Sequence, residues 1–98
     1  MILVRNVFQL KFGKAREATA LIKESEAMMK RHGGAPTRFL SDLTGQFYTL
    51  VMEISYDSLS AMENAQRDVM GAKEFAEWYQ KFTPLVESGY REIFTIVS

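Results

Sequence analysis

The sequence predicts an α+β fold in which helices cover one face of a four-stranded antiparallel sheet. Three observations support this prediction. Apolar and mixed positions alternate in separate segments, which is typical of strands. Apolar residues recur at spacings of three and four between those segments, which is typical of amphipathic helices. Turn-forming residues separate the segments, so the predicted order is strand, helix, strand, strand, helix pair, strand.

The first predicted strand spans residues 2–11. Its helix-facing side is apolar except for Asn6, whereas its other side carries Leu3, Arg5 and Val7. Helical spacing follows, and the predicted helix ends at a basic turn before two glycines, Lys30, Arg31, His32, Gly33 and Gly34. Cations suit the negative end of a helix, and glycine suits the left-handed residue beyond it. We therefore interpret His32 as a helix-end cation rather than as an acid-base catalyst.

Residues 37–43 and 47–56 are predicted to form a hairpin around the turn Leu43-Thr44-Gly45-Gln46. One face of the second strand is wholly apolar or aromatic and is predicted to carry the helices: Tyr48, Leu50, Met52, Ile54 and Tyr56. The other face is mixed. Phe47 and Val51 would be exposed there unless another surface covered them.

Two short helices and a final strand complete the predicted fold. Asp57 is the expected N-cap of the first helix, with Ser60 and Glu63 as an alternative capping box, and Gly71 interrupts it. The second helix starts near Lys73, and Pro84 and Gly89 mark its end. The final strand, over residues 90–97, alternates Arg91, Ile93, Thr95 and Val97 with Glu92, Phe94 and Ile96. Right-handed crossovers then place the first and third strands at the centre of the sheet, which is the ferredoxin-like split βαβ arrangement.

Composition limits the possible functions. The 98 residues suit a single domain over 1–98, and 12 basic against 12 acidic residues give no net charge with which to hold nucleic acid. No apolar run reaches the ~20 residues of a membrane span. Cysteine is absent, and a single histidine with scattered carboxylates indicates no metal site. No cofactor-binding motif is found. The N-terminus lacks a secretory signal, so a cytoplasmic location is expected.

Three signatures are spread over almost the whole chain: a strand running into Phe12-Gly13-Lys14, the segment Tyr56-Asp57-Ser58-Leu59, and Lys73-Glu74-Phe75-Ala76-Glu77-Trp78 followed by Thr83-Pro84-Leu85. Together they resemble the dimeric α/β-barrel superfamily, and within it the small NIPSNAP-like proteins. The resemblance implies that two protomers pack sheet against sheet into a barrel. A partner of this kind would cover the mixed face of the sheet, including Leu3, Val7, Phe47 and Val51.

The same superfamily includes antibiotic-biosynthesis and heme-degrading monooxygenases, whose pocket lies between the sheet and the helices. By this resemblance Asn6 falls where the heme-degrading enzymes have a strand asparagine. Two positions depart from their pattern, because Met62 stands near the place of their tryptophan and Tyr79 near that of their heme-ligating histidine. The resemblance therefore implies a pocket at Asn6, Met62, Trp78 and Tyr79, and no efficient heme degradation.

Several of these residues have a simpler structural interpretation. Asn6 could be bonded to a neighbouring group rather than point into a pocket, and aromatic residues at helical spacing are more often core than ligand-binding. Arg5 and Glu53 lie on the mixed face of neighbouring strands and are predicted to pair inside the barrel, although Arg5 could instead bind a substrate carboxylate. The sequence leaves these alternatives open.

The function that these features favour is a homodimer that binds a small hydrophobic or aromatic molecule between sheet and helices. One alternative is a cofactor-independent monooxygenase of the same superfamily, in which Asn6 and Tyr79 steer an aromatic substrate. A structural or interaction module is the other. An open, partly polar space near Asn6 and Tyr79 would favour binding or catalysis, whereas a filled one would favour the structural role.

Overall fold

The computed structural model describes residues 1–98 and contains four strands, three α-helices and one short 3-10 helix. In chain order these are β1 (Ile2–Leu10), α1 (Ala15–Arg31), β2 (Thr37–Ser41), β3 (Thr49–Tyr56), α2 (Leu59–Met70), α3 (Lys73–Phe82), the 3-10 turn Thr83–Leu85 and β4 (Val86–Thr95). This order confirms the predicted succession of elements.

The four strands form one antiparallel sheet in the order β2-β3-β1-β4. β1 and β3 are therefore the central pair, as the right-handed crossovers predicted. The sheet stays open, with β2 and β4 as its two edges. All three helices pack on one face, so the predicted ferredoxin-like α+β fold is confirmed.

The core lies between the helix-facing side of the sheet and the helices. Its largest buried cluster joins strand, helix and turn residues: Leu10, Ala18, Ile22, Leu50, Phe82 and Leu85. Phe8 meets Phe82 edge-on, with ring centroids 5.2 Å apart. Leu50 and Ile54 are both buried. The apolar side of β3 thus carries the helices, as the alternation predicted.

The connection between β2 and β3 is longer than the predicted turn. It covers residues 42–48, and the Asp42 carboxylate accepts a hydrogen bond from the Thr49 backbone N–H at 2.7 Å where β3 begins. Phe47 lies in this loop, is 62% exposed and contacts Phe12 and Tyr48. The prediction that Phe47 belongs to the mixed face of the strand is therefore wrong.

Two other boundaries differ from the prediction. Ser58, not Asp57, caps α2, because its hydroxyl accepts a hydrogen bond from the Ala61 N–H at 3.1 Å. β4 begins at Val86 and continues through Gly89, which was expected to end the preceding helix. A Cβ at Gly89 would lie 3.0 Å from the Val7 carbonyl oxygen, so glycine serves close strand packing there.

Helix α1 ends where predicted. Its last turn carries Lys30 and Arg31, and Gly33 adopts a positive φ of 72° just beyond the end. None of the helices has the length and apolar character that crossing a membrane would need.

Candidate functional site

A cavity of about 610 Å³ opens between the sheet and the helices α1, α2 and α3. Fifteen of its 20 lining residues are hydrophobic, so its walls are mainly apolar. They come from all the elements that surround it and include Met52, Ile54, Val69, Met70, Phe75 and Phe82. Size and lining are typical of a small-molecule site.

The polar part of the cavity is built on the sheet. Asn6 pairs with Met52 on one side and with Arg91 on the other, so these three residues form one row across β3, β1 and β4. Because side chains alternate along each strand, this row shares its face with the helices. Asn6 is only 7% exposed.

Arg91 and Asn6 contact each other in this row. The Arg91 Nε–H donates to Asn6 Oδ1 at 2.8 Å, which satisfies the buried amide oxygen. Arg91 is the only charged residue that lines the cavity, and it makes no ion pair. The Asn6 amide nitrogen makes no hydrogen bond within the protein and is not sealed from solvent, so it faces the open space.

Tyr56 adds a phenol to the cavity. Burial raises its pKa, and the positive charge of Arg91 only partly opposes this effect. At neutral pH the group therefore remains a neutral phenol that can donate a hydrogen bond.

Two aromatic residues of α3 meet the cavity in different ways. The Trp78 Nε1–H donates to the Leu21 carbonyl oxygen at 2.6 Å, which ties α3 to α1 and uses the polar group of the indole. The Tyr79 ring stacks on Phe75 with centroids 5.6 Å apart, and its hydroxyl makes no hydrogen bond within the protein. Tyr79 can thus still offer a polar group to a ligand.

The structure brings three of the four predicted pocket residues together, since Asn6, Trp78 and Tyr79 all line the cavity. Met62 is buried and does not line it, because the face of α2 that borders the space lies further along the helix, at Ala65 and Val69. Sequence reasoning missed Arg91. The alternation in the final strand predicted that Arg91 shares a side with Ile93 and Thr95, but no pattern in the sequence indicated the apolar residues that surround it.

Arg5 and Glu53 lie on the opposite, uncovered face of the sheet. The Glu53 carboxylate accepts from Arg5 Nε at 3.3 Å and from Arg38 Nε at 2.6 Å, and Arg5 also contacts Glu92 at 3.2 Å. The four charges form one alternating row across the strands. Both guanidinium groups are thus paired, which favours a structural role for Arg5 over substrate binding.

A second cluster of polar and charged side chains joins the end of α1 to the start of α3. Glu74 Oε2 accepts from Arg31 at 2.6 Å, and Glu74 Oε1 lies 2.8 Å from His32 Nε2. These hydrogen bonds lower the pKa of Glu74, with Arg31 as the first cause, and raise that of Arg31. His32 therefore has a carboxylate partner at the helix end.

The residues present do not fit heme in the manner of the heme-degrading enzymes. Met62 does not reach the cavity, and Tyr79 is about half exposed and stacked on Phe75. Tyr79 lines the cavity together with Asn6, but the position that would correspond to the tryptophan does not, so the set of three is incomplete. No group of three or more His, Asp or Glu side chains is placed to hold a metal ion.

No protein-family model matches the chain, and no curated protein matches it. Solved structures do. An uncharacterised NIPSNAP domain protein from Burkholderia xenovorans superposes with a TM-score of 0.90 at 13% identity, covering 100% of this chain and 96% of that one. A NIPSNAP family protein of unknown function from Agrobacterium tumefaciens superposes with a TM-score of 0.87 at 17% identity, covering 96% of this chain and 86% of that one.

The cofactor-independent oxygenase SnoaB from Streptomyces nogalater has the same fold. It superposes with a TM-score of 0.77 at 15% identity, covering 99% of this chain and 93% of that one. Identities this low establish the fold and nothing about the chemistry. The resemblance to NIPSNAP-like proteins and monooxygenases noted in the sequence is thus confirmed at the level of the fold.

Proposed function

We propose that the protein is a homodimer that binds a small, mostly apolar molecule with an aromatic portion in the cavity of each protomer. The observation that carries the proposal is the open space of about 610 Å³ with apolar walls and the polar groups of Asn6, Tyr56 and Arg91 on the sheet. A protein that used this region only for stability would fill it, because interiors are close-packed.

The uncovered face of the sheet supports the dimer. Across the strands, Leu40, Val51, Val7 and Tyr90 form one row, and Leu3 lies opposite Phe94 in another. Leu40, Tyr90 and Phe94 are exposed, which leaves an apolar surface without cover. The charged row between them is internally neutral, so a second copy of the sheet could bury it without leaving an unpaired charge.

Ligand binding is tested by filling the cavity. Ala65 lines it, whereas Ala27 is exposed on α1 and makes a matched control. A screen of acidic, neutral and basic naphthalene derivatives by thermal shift should find compounds that raise the melting temperature of the wild type, because a ligand stabilises the folded state by mass action. The shift should disappear in Ala65→Trp and persist in Ala27→Trp. Equal shifts in both variants, or none in the wild type, would contradict the proposal.

Cofactor-independent oxygenation is a second candidate, since SnoaB shares the fold and is such an oxygenase. One observation favours it: the Asn6 amide nitrogen and the Arg91 guanidinium face the same space and could stabilise an enolate oxygen. A balanced test reaction is the oxidation of a naphthol by O₂ to its naphthoquinone and one water. Oxygen uptake that requires the protein and is lost in Asn6→Leu would support this candidate, and uptake at the uncatalysed rate would remove it.

A further inference from the structure

Arg91 differs from the other arginines of the sheet. Arg5 and Arg38, on the uncovered face, are both paired with Glu53, whereas Arg91 on the helix side has no carboxylate partner. Its surroundings in the cavity include no acidic residue. A guanidinium beside apolar walls interacts most favourably with an anion that it can contact directly, and carboxylate matches its planar donors.

We propose that the molecule bound in the cavity is an aromatic monocarboxylic acid, whose carboxylate contacts Arg91, with Asn6 as the positioning residue; this inference rests on the proposed function. Asn6 Oδ1 holds the Arg91 Nε, which fixes the plane of the guanidinium on the sheet. The donors on its terminal nitrogens have no acceptor within the protein.

The charge of the site limits the ligand to a single negative charge. Arg91 is exposed and is the one cation in the lining, so only one of the two charges of a phosphate monoester would have a partner there. Tyr56 and the Asn6 amide nitrogen add neutral hydrogen-bond donors to the lining without adding charge. The stacked rings of Phe75 and Tyr79 offer an aromatic wall for the body of the molecule.

The experiment compares an acid with its neutral isostere. Naphthylacetate and naphthylacetamide share their shape and differ in charge, and both are titrated by calorimetry into the wild type, Arg91→Gln and Arg16→Gln. Arg16 is exposed on α1 and lies outside the cavity, so its variant removes the same charge elsewhere. The wild type and Arg16→Gln should bind the acid at least about tenfold more tightly than the amide, and Arg91→Gln should bind the two equally.

Three results would overturn the inference. Equal binding of acid and amide by the wild type would refute the carboxylate while leaving the apolar site in place. An undiminished preference for the acid in Arg91→Gln would refute the role of Arg91. Binding of neither compound would remove the proposed function and this inference with it. If Arg91→Gln does not fold, Arg91→Lys decides instead: the preference for the acid should fall, because lysine keeps the charge but loses the planar donor pair.

Discussion

Asn6 and Arg91 depend on each other for their positions. An amide that is nine-tenths buried costs on the order of 1 to 3 kcal/mol if it stays unbonded, and the Arg91 Nε–H satisfies its oxygen. Arg91 in turn lies on an edge strand, where a long side chain has many rotamers unless a contact selects one. The hydrogen bond between them therefore has two roles: it stabilises the protein, and it positions both side chains in the site.

Asn6→Asp separates these two roles. The aspartate keeps an oxygen acceptor for Arg91 and adds a negative charge that should pair with it, so the protein should fold while the pairing opposes an acidic ligand. We expect the affinity for naphthylacetate to fall at least about tenfold, with that for naphthylacetamide unchanged. Unaltered binding of the acid would mean that its carboxylate does not contact Arg91.

Asn6→Leu tests the structural role. The substitution removes the acceptor of a hydrogen bond to a charged group, worth about 1.5 to 3 kcal/mol, and the added apolar contact offsets part of this loss. The free energy of unfolding from urea titration should therefore fall by about 1 to 2 kcal/mol. An unchanged value would show that the Asn6–Arg91 bond contributes little.

At the scale of elements, Glu74 joins the C-terminal end of α1 to the N-terminal end of α3 beside the cavity. Both Arg31 and His32 contact its carboxylate, and they lower its pKa from the ordinary value of 4.5. A carboxyl whose pKa is lower in the folded than in the unfolded protein stabilises the folded state at pH values above its unfolded-state pKa. That stabilisation is lost as the pH falls through the folded value.

Glu74→Gln should therefore lower the melting temperature at pH 7. The difference in melting temperature between the two proteins should shrink as the pH falls below about 4.5, because the wild-type carboxyl then becomes protonated and, like glutamine, carries no charge. Glu77→Gln is the control, since Glu77 is exposed on the same helix and makes no ion pair. A difference that is constant with pH, or equal effects of both substitutions, would contradict the role assigned to the Glu74 carboxylate.

The type and order of the elements could be predicted from the sequence, but several of their ends could not. The end of α1 could be predicted because its signals are local: a basic last turn, followed by Gly33 with a positive φ. The start of β4 depends on the close approach of Gly89 to β1, and the place of Phe47 depends on the bond between Asp42 and Thr49. Those are tertiary contacts, which leave no periodic signal.

At the scale of the whole molecule, alternation predicted which sheet face carries helices. It also placed Asn6 on the helix side, and Arg5 and Glu53 together on the mixed face; that they lie directly opposite each other is a finding of the structure. Alternation did not predict Arg91 as a site residue, because an exposed basic residue on an edge strand, such as Arg91, usually contacts only solvent. Its significance depends on the residues that two other strands and the three α-helices bring to the same space, and spacing along one strand contains no such information.

The uncovered face determines how the proposed dimer should be tested. Val51 is only 7% exposed within one protomer, so a charge there would damage the fold as well as any interface. Phe94 lies on the same face and is 46% exposed, which makes it the better probe. Leu59, exposed at the start of α2 in the helical layer, is a matched control.

We expect the wild type to sediment as a dimer at micromolar concentration, with an interface of about 1,200 Å² or more in total. Phe94→Asp should shift it to the monomer, because each copy would then have to bury an unpaired carboxylate in an apolar interface. Leu59→Asp should leave the dimer intact, and circular dichroism should show both variants folded. A wild type that sediments as a monomer, or a Phe94→Asp variant that remains a dimer, would show that this sheet face does not join two copies of the chain.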